Sequence, residues 1–274
     1  MSFDAAKAKR YARHLVLKEI GLNGQKKLSV AKVLVIGAGG LGSPAVMYLA
    51  SAGVGEIGIA DYDKVDLSNL QRQIIHTTDR VGMKKTASAQ ISAKAVNPDV
   101  NIIPIDERLD PDNIIRIISE YDFILDCTDR FETKFMINDA CVIAGKPYSH
   151  AGVVRFGGQA MTYIPGRGPC LRCLLGSVPH DSETCSNAGV VGAAAGVLGS
   201  IQALEAVKYI TGAGKLLCGR VLSFDGLHMN VRVHKVSGSD PHCTVCGKEP
   251  SITDLSVNRN DYYIYGCSTG GDEE

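Results

Sequence analysis

Gly37-Ala38-Gly39-Gly40-Leu41-Gly42 is a glycine pattern in which successive backbone N–H groups and the start of a helix can meet a phosphate with no Cβ in the way. Asp61 follows at the end of the next apolar run, where a carboxylate can accept hydrogen bonds from ribose hydroxyls. Gly37, Gly39, Gly40, Gly42 and Asp61 therefore predict a site for an adenosine-containing nucleotide. NAD and ATP both offer a ribose and phosphates to such a turn, so the turn alone does not choose between them. Ser68-Asn69-Leu70-Gln71-Arg72-Gln73 and Gly82-Met83-Lys84-Lys85 come next, and Arg72 and Lys85 could return two cations to the phosphate end of the crevice. A triphosphate needs them, whereas composition alone would leave both as solvated surface charges. Cys170-Leu171-Arg172-Cys173 and Cys243-Thr244-Val245-Cys246 are two short-spaced thiol couples, the arrangement of a tetrahedral four-sulfur zinc site. Four thiolates leave no open coordination position. Cys170, Cys173, Cys243 and Cys246 thus predict a structural zinc that pins the end of the chain to the domain, with a redox dithiol as the alternative.

These groups need elements to position them. Val33-Leu34-Val35-Ile36 is a continuous apolar run of strand length; the glycine cluster follows, then Ser43 to Ala52, which suits a helix. Gly55 to Ala60, Val100 to Ile105 and Tyr121 to Cys127 read as further strands. Helices are predicted from about Met83 to Val96 and from Asp110-Pro111 through Ile118. Strands that are apolar throughout and alternate with helices imply a parallel sheet covered on both faces, and so a doubly wound, Rossmann-like α/β fold. Tyr148 to Tyr163, broken at Gly157-Gly158, and Val221 to Val236, turning at Asp225-Gly226, predict antiparallel strands that extend the sheet. Asp4 to Ile20 reads as one amphipathic N-terminal helix stopping at Gly21. Gly189, Gly192, Gly196 and Gly199 recur along one helical face in Ala188 to Leu204, a stretch too short and too polar to span a membrane. A buried helix that lets another backbone approach is expected there. From Glu249 the chain is polar, which predicts a loosely held tail containing Gly270-Gly271.

Lys plus Arg and Asp plus Glu both number 29, so no overall field exists to draw in nucleic acid or an anionic membrane. The start, Met1 to Arg10, is charged and carries no secretory pattern, which predicts a cytoplasmic address. Nine cysteines, an odd number, then favour metal or catalysis over a disulfide framework. Cys127, Cys141 and Cys218 lie in apolar surroundings and are expected in the core. Cys267, in the tail, is assigned nothing. No histidine pairs convincingly with a nucleophile, and surface or core roles are expected even for His150 and His180.

The glycine turn, Asp61-Tyr62-Asp63, the Ser68 to Gln73 segment, Asp126-Cys127-Thr128-Asp129 and the cysteine couples, in this order, resemble the ThiF/MoeB/HesA family of ubiquitin-activating-like adenylyltransferases over Ala8 to Gly247. The resemblance implies one domain over 1–248, with its N-terminal helix at 4–20, a nucleotide-binding half at about 31–146 and a carrier-binding and zinc half at about 147–248; 249–274 is the tail. It implies that ATP adenylates the C-terminal glycine of a ubiquitin-fold sulfur-carrier protein ending in Gly-Gly, with pyrophosphate released. By position it makes Asn69, Arg72, Gln73 and Lys85 triphosphate contacts and Asp129 the carboxylate associated with magnesium. Arg13 matches an arginine that reaches the nucleotide of the other subunit, implying a homodimer with composite sites. Arg130 stands where the family often has asparagine, and adds a positive charge.

Cys185 belongs to neither couple; the family places a cysteine here in a crossover loop, where ThiF-like members link it covalently to the carrier through sulfur. Phe156-Gly157-Gly158-Gln159 and the residues after Cys185 look closer to the ThiF branch, and so to thiamine rather than molybdopterin synthesis. A cysteine desulfurase or sulfurtransferase would supply the sulfur. Two other readings stand beside this one. A nicotinamide-dependent oxidoreductase shares the turn and Asp61 but leaves Ser68 to Gln73, Lys85 and the four thiols unexplained. A non-catalytic partner subunit has the same fold, although Arg13 and the nucleotide cations argue for an active chain.

Overall fold

The computed structural model describes residues 4–178, 188–236 and 238–263. In strand β1, Lys32–Ile36, Val33 and Val35 point to one side of the sheet and Leu34 and Ile36 to the other, and all four are buried. A strand apolar at every position must be covered twice. The sheet has eight strands in the order β3-β2-β1-β4-β5-β6-β7-β8. β2, Glu56–Ala60, and β3, Asn101–Ile105, lie on one side of β1; β4, Phe123–Asp126, and β5, Tyr148–Val154, lie on the other, all parallel. β6, Gly157–Tyr163, β7, Arg220–Asp225, and β8, Asn230–Lys235, continue the sheet antiparallel. The chain reverses direction across the sheet between β1 and β4, and that reversal opens a crevice at the strands' carboxyl ends.

Helices α1, Ala5–Arg10, α2, Ala12–Leu15, and α3, Gly21–Val30, precede β1; α4, Gly42–Ala52, and α5, Lys85–Val96, follow it. α6, Ile114–Ser119, α7, Phe131–Ile143, α8, Leu171–Leu175, and α9, Gly192–Thr211, complete the set among the described residues. α3, α4, α5 and α9 share a core with Val33, Val35, Ile57, Phe123 and Leu125. On the opposite face α6, α7 and the 243–262 segment pack on Leu34, Ile36, Ile124 and Tyr148. Among the described residues, no helix is long and apolar enough to cross a membrane.

Several elements differ from the sequence expectation. The N-terminal segment is two short helices, broken where Tyr11 turns into the interior and its hydroxyl accepts from Asn97 Nδ2 at 2.9 Å, and Gly21 opens α3 instead of stopping a helix. α6 starts at Ile114, because the Asp110 carboxylate ties down the N–H groups of Asp112 and Asn113 in a preceding turn. The β5–β6 hairpin turns at Arg155-Phe156; Gly157 and Gly158 lie within β6, and a Cβ on Gly158 would meet the Gly152 carbonyl and Leu198. On α9, Gly192 and Gly199 admit the Gln71 and Leu41 backbones as expected, whereas among the described residues nothing lies within 4 Å of where a Cβ on Gly196 would stand. Cys127 and Cys141 are core residues, but Cys218 is half-buried, its thiol donating to the Arg167 carbonyl at 2.8 Å. Past Glu249 the segment is held rather than loose: Ile252, Leu255 and Tyr262 are buried. Three hydrophobic side chains among polar ones provide the anchorage that overall polarity concealed. Cys185, His180, Cys267 and Gly270-Gly271 lie outside the described residues.

Candidate active site

The carboxyl ends of β1, β2, β4 and β5 surround a cavity of about 720 Å³. Gly37 leaves β1 with φ +95°, and a Cβ there would press on the Cys127 carbonyl at 2.8 Å, so only glycine fits this start of the turn. Asp61 locks the turn: its Oδ2 accepts from the Ala38 N–H at 2.8 Å and its Oδ1 from the Asp63 N–H at 2.9 Å. Burial raises the Asp61 pKa against the pull of the Lys85 cation. His76 braces the turn from behind. Its Nε2 donates to the Ala38 carbonyl at 3.0 Å, which leaves Nδ1 to accept from the Ser88 hydroxyl at 2.9 Å. Burial pushes the His76 pKa down to about 4, so the imidazole is neutral at pH 7.

The cations expected from sequence do reach this place. Lys85, at the start of α5, is only 6% exposed; its Nζ lies 2.8 Å from Asp63 Oδ2 on the cavity wall. Arg72 lines the same wall, its Nη1 donating to the Ser68 carbonyl at 3.0 Å. Gln73 is 4% exposed, and its Oε1 is buried without a hydrogen-bond partner among the described residues. An orphaned buried amide oxygen costs about 1–3 kcal/mol, which a ligand in the cavity would relieve. Asp129 and Arg130 are exposed on the opposite wall, after β4.

Gly37, Gly39, Gly40, Asp61, Arg72, Gln73, Lys85, Asp129 and Arg130 are thus brought together. Three other expected residues are not on the wall. Gly42 lies against the Gly37 carbonyl and permits close packing. Asn69 closes a local cap, its Oδ1 accepting from the Asp66 N–H at 3.3 Å. Arg13 sits exposed on α2.

Beneath Asp129 lies a group that sequence reasoning did not find. Asp126 is fully buried; its Oδ1 accepts from Thr128 Oγ1 at 2.7 Å, and its Oδ2 lies 3.3 Å from Lys134 Nζ and 2.7 Å from His150 Nδ1. Burial pushes the Asp126 carboxyl up, but Lys134 and the hydrogen bonds from His150 and Thr128 more than offset this and hold it below the usual carboxylate range. Burial and the Lys134 cation depress the His150 pKa. Asp126 and His150 are register partners on β4 and β5, a pairing not visible before the sheet order is known.

The Sγ atoms of Cys170, Cys173, Cys243 and Cys246 all lie within 4.8 Å of one another, and Cys170 and Cys243 are buried. Four converging thiols are the donor set of a closed tetrahedral zinc site, so the residues fit that metal in a structural role. A buried network stands beside it. Arg172 Nη2 donates to Asp139 Oδ2 at 2.7 Å, the Tyr262 hydroxyl donates to the same oxygen at 2.6 Å, and Tyr148 and the Leu171 N–H both donate to Asn138 Oδ1. These bonds join α7, α8 and the C-terminal segment.

Comparison with known proteins places this architecture among named ones. A model of the ThiF family matches residues 11–245. The chain is 42% identical over 266 residues to the adenylyltransferase and sulfurtransferase MOCS3-1 of Zea mays, a match that covers 96% of this chain and 57% of the maize protein. The chain therefore spans little more than half the length of that relative. It is 39% identical over 272 residues to the SAMP-activating enzyme E1 of Haloferax volcanii, covering 98% of both. Among solved structures, E. coli MccB with ATP superposes with a TM-score of 0.74 at 25% identity, over 87% of this chain and 74% of that one.

Proposed function

The chain belongs to the ThiF family, and we propose that it catalyses ATP-dependent adenylylation of the C-terminal glycine carboxylate of a ubiquitin-fold sulfur-carrier protein, with release of pyrophosphate. The observation that carries this reading is the return of Arg72, Gln73 and Lys85 to the wall of the cavity behind the glycine turn. Two cations at this wall suit a triphosphate, whose negative charge exceeds that of a dinucleotide's pyrophosphate. The adenylyltransferase and activating-enzyme names of the maize and Haloferax relatives support the reaction class.

ATP supplies the electrophilic α-phosphorus, and magnesium, when bound, would screen the charge of its phosphates. Gly39 and Gly40 offer backbone N–H groups to the phosphates without Cβ interference, while the Gly37 N–H is held by the Ala60 carbonyl at 2.8 Å. Asp61 keeps free lone pairs on both oxygens after holding the turn, and these accept from the ribose hydroxyls. Arg72 and Lys85 neutralise the charge that grows toward pyrophosphate. Asp129, an exposed carboxylate on the cavity wall, would hold magnesium, and Arg130 adds a cation at the rim. Arg13, outside its own chain's cavity, reaches the site of a second copy in a homodimer. Zinc on the four cysteines fixes the frame and takes no part in the chemistry.

The carrier's tail enters over residues 147–248. Cys185 is the thiol that meets the activated tail, and the sulfur comes from a cysteine desulfurase or sulfurtransferase. The Phe156 to Gln159 segment makes a thiamine-pathway carrier the first substrate to try and a molybdopterin-pathway carrier the second. Intact-mass measurement after incubation with ATP, magnesium and a Gly-Gly-ended carrier should show the carrier gaining one AMP. A carrier of unchanged mass, with ATP unconsumed for every such carrier, would reject the proposal.

A further inference from the structure

The order of groups along the sheet edge gives the reaction a direction. Asp61 follows β2, the glycine turn follows β1, Asp129 follows β4 and His150 stands on β5, while the strands lie in the order β2-β1-β4-β5. With ribose at Asp61 and phosphates at the turn, the activated acyl carbon lies on the β4–β5 side. The histidine side chain on that side is 12% exposed and lines the cavity.

The Asp126 carboxylate accepts from Nδ1 at 2.7 Å, which puts the ring proton on Nδ1 and leaves the Nε2 lone pair as an acceptor. Asp126 is itself fully buried and held by Thr128 Oγ1 at 2.7 Å and by Lys134, whose Nζ also donates to the Ala151 carbonyl at 2.7 Å. Among the described residues, Nε2 has no hydrogen-bond partner. A neutral, oriented imidazole with a free lone pair in a nucleotide cavity has no use in forming the adenylate, because the attacking carboxylate carries no proton. It has one in the step that consumes the adenylate.

We propose that His150 is the general base for the thiol or persulfide that displaces AMP from the activated carrier. This inference rests on the adenylylation reading. The S–H bond breaks and its proton passes to His150 Nε2. The sulfur forms a bond to the glycyl carbonyl carbon, the bond from that carbon to the phosphate oxygen breaks, and AMP leaves as its anion. Asp126 stabilises the resulting imidazolium, while Lys134 balances the buried carboxylate. No oxidant or reductant is needed.

The test follows AMP release from ATP and a recombinant ubiquitin-fold carrier ending in Gly-Gly, using two external thiols. Dithiothreitol is largely protonated at neutral pH and needs a base; thiophenol is largely ionised and does not. In His150→Gln the dithiothreitol-dependent rate, relative to pyrophosphate exchange in the same variant, should fall by about 10²-fold or more. The thiophenol-dependent rate on the same scale should change only a few-fold. Added imidazole should restore the dithiothreitol rate in His150→Ala. An equal fall with both thiols, or no fall with either, while exchange persists, would overturn this assignment alone. No exchange by the unaltered chain would overturn the adenylylation reading, and this one with it.

Discussion

The glycine turn is held by two side chains, Asp61 and His76, and burial raises the pKa of the first and lowers that of the second. His76 is neutral because protonation would put a cation into the interior beside Lys85 and Arg80. Its pKa is about 4 in the folded chain against an ordinary 6.5, so below pH 6.5 the unfolded chain binds more protons than the folded one. The stability that His76 contributes is complete above pH 6.5 and is lost as pH falls toward 4. Denaturant unfolding across that range should show this slope, and His76→Gln should flatten it. An unaltered slope would mean that other groups carry it. Asp129 has the opposite character: it is exposed, so its replacement should cost the fold little, within about 0.5 kcal/mol. Asp129→Ala should abolish adenylylation at unchanged thermal midpoint. Near-normal turnover would remove the role given to it here.

The run Val33 to Ile36, apolar at every position, announced a strand buried on both faces, and the glycine cluster after it announced the turn; both stand in the structure. Asp61 was legible because strand and turn signals place it at the sheet edge, whereas Arg72 and Lys85, which composition alone left as surface charges, were legible only through the resemblance of their segments to the family. Asp126 with His150 was not legible, because the pairing depends on the register of β4 with β5, which periodicity does not encode. The break at Tyr11 and the anchorage at Tyr262 were hidden for a related reason: each depends on a distant partner, Asn97 and Asp139. Close approach is the element-scale feature most open to test. Gly199 on α9 faces the Leu41 carbonyl, and Pro44 Cγ would lie 2.7 Å from a Cβ there. Gly199→Ala must push α9 off α4 and should cost about 1–3 kcal/mol, read as a lower thermal midpoint. Gly196→Ala, on the same helix with open space, should be neutral or slightly stabilising.

At the scale of the whole molecule the four cysteines and the Asn138–Asp139–Arg172–Tyr262 network hold the 243–263 segment to α7 and α8. Removing zinc with a strong chelator should lower the thermal midpoint and open the segment after Gly247 to proteases. Resistance to both would count against a structural metal. Composite sites make a separate prediction. Arg13→Ala and Asp129→Ala, each inactive alone, should regain part of the activity when mixed and allowed to exchange subunits, since one site of the mixed dimer is intact. No recovery would mean that Arg13 does not complete the site of a second copy. The most direct measurement of the central claim is exchange of labelled pyrophosphate into ATP, with magnesium and a Gly-Gly-ended carrier. Adenylylation predicts exchange that requires the carrier and falls by about 10²-fold or more in Lys85→Ala. Absence of exchange with every such carrier, or exchange indifferent to Lys85, would contradict it.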